Sequence, residues 1–186
     1  MPLTAREKWD WLSLTYDWMT FGEDRRQGAE KRRLFAKIQG TTLLVAVGTG
    51  NDLKYLPSGC NLIAIDISPR MIQRARTKAR REGGNIRMVL TDAQRLAFGD
   101  QTFDTVLTVC TFCSIPEPLQ GLQELYRVLK RGGRLLMFEH VRSKIGPFAL
   151  FLDFMTFLTR KFGPDLNRDT VGNVLQAGFR LQREEN

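Results

Sequence analysis

A doubly wound α/β domain built on a mostly parallel sheet is what the sequence predicts, and three observations carry that expectation. Nearly continuous apolar runs of strand length recur along the chain; the stretches between them repeat apolar residues at helical spacing; and Gly, Pro and Asp punctuate the joints. Strands alternating with helices of about 10 to 15 residues imply parallel neighbours, right-handed crossovers and helices on both faces. The 186 residues suit one domain, with no internal repeat or linker dividing them.

Residues 1–40 read as a helical cap, whose amphipathic stretch WDWLSLTYDWM spans 9–19. The first strand is expected over Thr42 to Val47 (TLLVAV), apolar throughout and so covered on both faces, ending in Gly48-Thr49-Gly50 at a helix start. Leu62 to Asp66 (LIAID) is the second. Ser68 and Pro69 then supply an N-cap and a first-turn proline for RMIQRARTKARRE, which Gly83-Gly84 closes before a third strand at Ile86 to Leu90. Phe103 to Cys110 reads as the fourth. Glu117 to Lys130 carries a helical stripe of Leu119, Leu122, Leu125, Val128 and Leu129, broken by Gly132-Gly133, and Leu135 to Val141 is the fifth strand. The core is thus expected over 41–141, with 142–186 forming a lid, a last helix and one strand at Phe179 to Glu185.

Composition narrows the classes. With 42% hydrophobic residues and 12 Phe the chain can bury a core, and 26% charged residues is too moderate for intrinsic disorder. Three Cys, no apolar cleavable leader and no run of about 20 apolar residues point to a reduced, cytoplasmic protein. The net charge of +8 favours an anionic partner, but the basic residues fall on two helices at spacing that suits solvated faces. A nucleic-acid groove would also need stacking aromatics, and here the aromatics sit in apolar runs, which disfavours that partner.

In such a sheet, ligands bind beyond the carboxyl ends of the strands. After the first strand, Gly48 and Gly50 let backbone approach a ligand, yet Leu53 stands where a dinucleotide loop would have its third glycine, and no phosphate-binding G-x-x-x-x-G-K-[ST] is present. Asp66 ends the second strand, where a carboxylate can accept from both hydroxyls of a ribose. Asp92 follows the third strand, where it can accept from an exocyclic amine beside the Ala93 amide. The three positions together suit adenosine without a pyrophosphate.

At these residues the sequence resembles the class I methyltransferases that use S-adenosylmethionine. The motifs are VAVGTG at 45–50, IDISPRMIQRAR at 65–76, TDAQRLAFGDQTFDTVLTV at 91–109 and ELYRVLKRGGRLLMFEH at 124–140. TYDWMTFGEDRR at 15–26 is similar to a segment of quinone C-methyltransferases, while CTFCSIPEP and FEHVRS resemble small-molecule thiol methyltransferases. The resemblance implies a Rossmann-like fold and S-adenosylmethionine as cofactor, with S-adenosylhomocysteine as product. It also implies a cofactor site of Ala46, Val47, Gly48, Thr49, Gly50, Asp66, Ile67, Met71, Asp92, Ala93, Thr108, Val109 and Cys110. Two departures stand out: Leu44 and Ala46 replace the family's usual acid and glycine, so binding of the methionine ammonium is expected to rest on carbonyls near Ala46 and Thr108. The single expected closing strand, where the family has two antiparallel ones, is the other, and it points to a different sheet closure or a shortened chain.

Methyl transfer from a sulfonium needs alignment and dehydration more than acid–base work. His140, the sole histidine, is the candidate base, with packing or substrate positioning as its alternatives. Tyr16 either covers the reacting end of the site or packs its helix; Cys113 and Phe154 are candidate substrate contacts. Cys110 and Cys113 lack the further ligands of a zinc site, and no metal is expected. Ile145 to Leu158, apolar nearly all round, is expected to wall a greasy acceptor site with the amphipathic 9–19 segment opposite; the same two pieces with the +8 charge suit contact with an anionic membrane, and a dimer face is the alternative. A small-molecule methyltransferase, a membrane-surface lipid or quinone methyltransferase and a non-catalytic S-adenosylmethionine-binding protein remain open, as does a monomer or homodimer.

Overall fold

Five of the apolar runs become strands: β1 (Thr41–Val45), β2 (Asn61–Asp66), β3 (Asn85–Leu90), β4 (Phe103–Val109) and β5 (Leu129–Phe138). The computed structural model describes residues 3–82, 85–139 and 168–182. Among these, every strand pairing is parallel, in the order β3-β2-β1-β4-β5. The direction of strand addition reverses between β1 and β4, so the connections leaving these neighbours part to opposite faces and open a crevice at their carboxyl ends.

The helices are α1 (Ala5–Leu12), α2 (Tyr16–Met19), α3 (Glu23–Phe35), α4 (Pro69–Glu82), α5 (Pro118–Val128) and α6 (Thr170–Gln176). Successive β1 side chains point to opposite faces, which divides the core in two. Leu43 and Val45 pack with Phe103 and Val106 beneath Leu122, Leu125 and Val128 of α5. Leu44 packs with Leu62, Ala64 and Leu107 against Phe35 of α3 and Ile72 and Ala75 of α4. Coverage on both sides is why β1 reads as a continuous apolar run. Each fully buried Leu or Phe here stabilises the fold by about 1.5–3 kcal/mol.

Local chemistry sets the helix starts. Ser68 Oγ accepts from the Met71 N–H at 3.1 Å, capping α4 ahead of Pro69. Thr4 and Glu7 form a reciprocal capping box at α1.

Four expectations need correction. β1 ends two residues early because Ala46 turns to a left-handed φ of 54°, lifting the chain out of the sheet. The glycine pair then leads into a 3-10 turn, Leu53–Tyr55, rather than an α-helix; Gly50 (φ 84°) packs so closely on α4 that a β-carbon there would lie 3.0 Å from Ala75 Cα. α5 stops at Val128, and Gly132-Gly133 sit inside β5 at a register irregularity instead of breaking a helix. A β-carbon on Gly133 would meet the Asp104 carbonyl oxygen at 3.0 Å, so the strands can pair there only without a side chain. Lastly, Phe179–Gln182 forms no strand; Phe179 instead meets the Tyr126 ring edge-on at 5.1 Å. Gly83-Gly84, the end of the Leu135 to Val141 run, the Ile145 to Leu158 segment and residues 183–186 lie outside the described residues.

Candidate functional site

The carboxyl ends of β1 to β4 surround a cavity closed by the amino-terminal cap. Ala46, Gly48, Asp66, Ile67, Met71, Asp92, Ala93, Val109 and Cys110 line it from the sheet side, and Ala5, Trp9 and Tyr16 line it from the cap.

Asp66 anchors the arrangement. It is 6% exposed, and its Oδ2 accepts from the Gly48 N–H at 2.9 Å while Oδ1 accepts from the Ser68 N–H at 2.9 Å. One side chain therefore fixes both the loop after β1 and the start of α4. Burial pushes this carboxyl above the ordinary carboxylate range, against the lowering effect of the amides it accepts from. A carboxylate oxygen has two acceptor directions, so Asp66 can take two more donors such as a pair of ribose hydroxyls.

Asp92 is held differently. Its Oδ1 accepts from the Gln94 N–H at 2.9 Å, and the Gln94 side-chain amide reaches both oxygens at 3.1 and 3.0 Å. Gln94 Oε1 in turn accepts from the Glu117 N–H at 2.8 Å, tying the β3 loop to the start of α5. A ligand amine at Asp92 must share the carboxylate with Gln94, a partner the sequence reading missed although Asp followed two residues later by a polar side chain is a turn signal.

Tyr16 stands across from Gly48 (φ 57°), where a β-carbon would point at its Cε1 from 3.7 Å. Both residues line the cavity, so the absent glycine side chain leaves room there for a ligand. Burial, reinforced by Glu23, pushes the Tyr16 phenol far above its ordinary value, so it stays protonated. Its position is set by Asp17, which accepts from Thr49 Oγ1 at 2.5 Å, Arg74 at 2.9 Å and Lys78 at 3.1 Å. Burial alone would raise the Asp17 carboxyl, but these partners outweigh it and hold it at about 2.

Cys110 adopts a left-handed φ of 49° and its N–H donates to the Phe138 carbonyl at 2.7 Å. Burial, with Glu139 nearby, pushes its thiol well above the usual range, and burial raises Cys113 to about 11. Neither thiol ionises near neutral pH. Glu139 accepts from the Thr111 and Phe112 N–H groups, each at 3.0 Å, and so clamps the loop after β4 to the end of β5. Burial pushes its carboxyl up to about 7, opposed by the nearby Thr108 hydroxyl and the two amides.

Ten of the expected site residues line the cavity: Tyr16, Ala46, Gly48, Asp66, Ile67, Met71, Asp92, Ala93, Val109 and Cys110. Val47, Thr49, Gly50, Thr108 and Cys113 stand behind it. Val47 is bonded through its N–H to the Ile65 carbonyl, and Thr49 is turned to Asp17. Thr108 is fully buried between Val45 and Met137 within the sheet, which leaves Ala46 alone of the two positions expected near the ammonium at the cavity. Cys113 Sγ faces the Cys110 carbonyl at 3.2 Å. His140 and Phe154 lie outside the described residues. Trp9, the first residue of the 9–19 segment expected beside the acceptor site, also lines the cavity, as do Ala5, Ser114, Ile115 and Pro116, which were not anticipated. No group of three or more His, Cys, Asp or Glu among the described residues is placed to hold a metal ion.

These features fit S-adenosylmethionine: a buried carboxylate with spare acceptor directions for a ribose, apolar Ile67, Met71 and Ala93 for the faces of an adenine, and a glycine-lined opening toward Tyr16.

The methyltransferase-domain family matches residues 43–137, from within β1 to the end of β5. The chain is 32% identical over 178 residues, 87% of its length and 72% of the relative's, to thiol S-methyltransferase TMT1B of Homo sapiens. It is 31% identical over 171 residues, 86% and 71% of the two chains, to the ubiquinone/menaquinone biosynthesis C-methyltransferase UbiE of Geotalea daltonii. Among solved structures, the N-methyltransferase NodS of Bradyrhizobium japonicum, in complex with S-adenosylhomocysteine, shares the fold with a TM-score of 0.62 at 19% identity, covering 72% of this chain and 71% of that one. The matched segment is the very stretch that builds the sheet and its Asp66 and Asp92 loops, and the chain belongs to the methyltransferase-domain family as an S-adenosylmethionine-dependent methyltransferase.

Proposed function

We propose that the chain methylates a small, uncharged, apolar acceptor, with a thiol favoured over a phenol, quinol or amine. One observation carries this reading: among the described residues, Asp66 and Asp92 are the only charged side chains lining the cavity, and both belong to its nucleoside end. What remains for an acceptor is walled by Trp9, Tyr16, Val109, Cys110, Ile115 and Pro116, with the uncharged Thr111 and Ser114 among them.

Bound in this crevice, the cofactor supplies an electrophilic methyl on a sulfonium sulfur. The protein's part is to grip the ribose through Asp66, to exclude water with Trp9 and Tyr16, and to hold the acceptor in line. Alignment of this kind is worth about 7–11 kcal/mol of barrier. The protonated Tyr16 phenol and Cys110 thiol offer no ready base at neutral pH. An acceptor that ionises by itself is therefore favoured: a thiol with a pKa of about 8.5 needs less help than a phenol near 10. For a phenol, His140 just beyond β5 would serve as the base. The names of the similar proteins, a thiol S-methyltransferase and a quinone-biosynthesis C-methyltransferase, agree with an apolar acceptor.

The test is transfer of labelled methyl from S-adenosylmethionine to a panel of alkyl and aryl thiols, phenols, quinols and amines. Methylated apolar thiol is the expected product. Tight S-adenosylhomocysteine binding with no product from any acceptor would support a binding protein instead, and preferential methylation of charged amines would contradict the apolar wall.

A further inference from the structure

The cap that closes the cavity has a second, outward side. Trp9 and Tyr16 turn inward, whereas Trp11, Leu14, Trp18, Met19 and Phe21 of the same segment are 70%, 63%, 82%, 59% and 86% exposed. Two indoles, a phenyl ring and two aliphatic side chains thus face outward within eleven residues of chain, an arrangement that isolated surface apolar residues do not produce.

Charge follows at once. At the start of α3, Glu23 pairs with the buried Lys31 at 3.4 Å, and Asp24 pairs with Lys54 and Tyr55. The acids of that first turn are therefore neutralised, while Arg25 and Arg26 are exposed with no ion-pair partner among the described residues. Further along α3, the exposed Arg32 and Arg33 outnumber the exposed Glu30.

We infer that this outer side of the cap docks on an anionic lipid bilayer, with Trp11, Trp18 and Phe21 entering the headgroup boundary and Arg25 and Arg26 meeting lipid phosphates. Indole and phenyl rings beside arginines are the chemistry of an interfacial anchor. A second copy of the chain fits less well, because face-to-face pairing would oppose two arginine pairs of the same sign. A bilayer neutralises them. Docked this way, the cap brings the cavity it closes to the membrane surface, where apolar acceptors concentrate. The inference rests on the cap and does not depend on the acceptor's identity.

The experiment measures co-sedimentation and tryptophan emission of the full chain with vesicles of phosphatidylcholine alone, or containing about 30% phosphatidylglycerol. Wild type is compared with Trp18→Ser/Phe21→Ser and Arg25→Gln/Arg26→Gln, and S-adenosylhomocysteine affinity is measured on each as a check of folding. Wild type should bind the anionic vesicles at least about tenfold more tightly than the neutral ones, with a blue shift in emission. The arginine variant should bind about 25-fold more weakly, roughly fivefold per arginine, and the aromatic variant at least about tenfold more weakly, both keeping S-adenosylhomocysteine affinity. Equal vesicle binding by all three proteins would overturn the inference. So would a wild type that ignores vesicles but forms a dimer that Trp18→Ser/Phe21→Ser disperses, since the patch would then be a subunit contact. Vesicle binding without S-adenosylhomocysteine binding would support docking and count against the cofactor assignment alone.

Discussion

Ala46 and Asp66 show how single residues shape the site. A left-handed backbone costs a residue with a β-carbon about 1–2 kcal/mol, and Ala46 bears that cost at φ 54°. Part of the gain from Ala46→Gly is offset by the greater freedom of glycine in the unfolded chain. The substitution should therefore stabilise by about 0.5–1 kcal/mol, raising the melting temperature by about 2–3 °C in calorimetry. At Asp66 the expected change is the reverse. Asp66→Ala removes the acceptor for the Gly48 and Ser68 amides and the grip on a ribose, and titration calorimetry should show S-adenosylhomocysteine affinity falling about 30-fold or more. An affinity within about threefold of wild type would remove the ribose role. Both residues were legible as a strand-end pair, because an aspartate closing an apolar run marks the carboxyl edge of a sheet. The turn at Ala46 was not legible, since an alanine carries no signal for a positive φ.

At the scale of elements, polar ties decide whether the cap closes. Asp17 joins α2 to Arg74 and Lys78 of α4 and to Thr49, and Asp10 of α1 accepts from Ser68 Oγ and the Arg70 N–H. Asp17→Ala should free the cap: limited proteolysis should cut within residues 5–22 severalfold faster, while the sheet loses no more than about 1 kcal/mol of stability. Unchanged cleavage would mean that apolar packing alone seats α1 and α2. Glu139 clamps the loop after β4, and its buried carboxyl is raised from 4.5 to about 7. Between those values the folded chain holds a proton the unfolded chain has lost, so stability must fall as pH rises through that window, by up to about 3 kcal/mol. Glu139→Gln cannot ionise and should flatten this slope in urea unfolding measured across it, while Asp66, which burial also raises, contributes with the same sign above its ordinary value. These ties join residues far apart in sequence. That is why Ala5 and Gln94 were not foreseen at the cavity, and why the glycines at 132 and 133 read as a helix stop instead of a close pairing with Asp104.

For the whole molecule, the sheet order β3-β2-β1-β4-β5 converts a linear alternation of strands and helices into a crevice with Asp66 and Asp92 on adjacent strand ends. The order follows from what could be read along the chain. Runs buried on both faces imply parallel pairing, right-handed crossovers restrict the arrangements, and glycine and aspartate at the strand ends mark the ligand edge. Segment ends and the contacts of the cap depended on packing that local pattern does not encode. The most direct measurement is a crystal structure of the full chain with S-adenosylhomocysteine. The ribose hydroxyls should lie within hydrogen-bond distance of Asp66, the adenine between Ile67 and Ala93 with its amine toward Asp92, and the sulfur toward Tyr16. A nucleoside bound elsewhere, or a ribose held by other residues while Asp66 keeps only its Gly48 and Ser68 amides, would contradict the account.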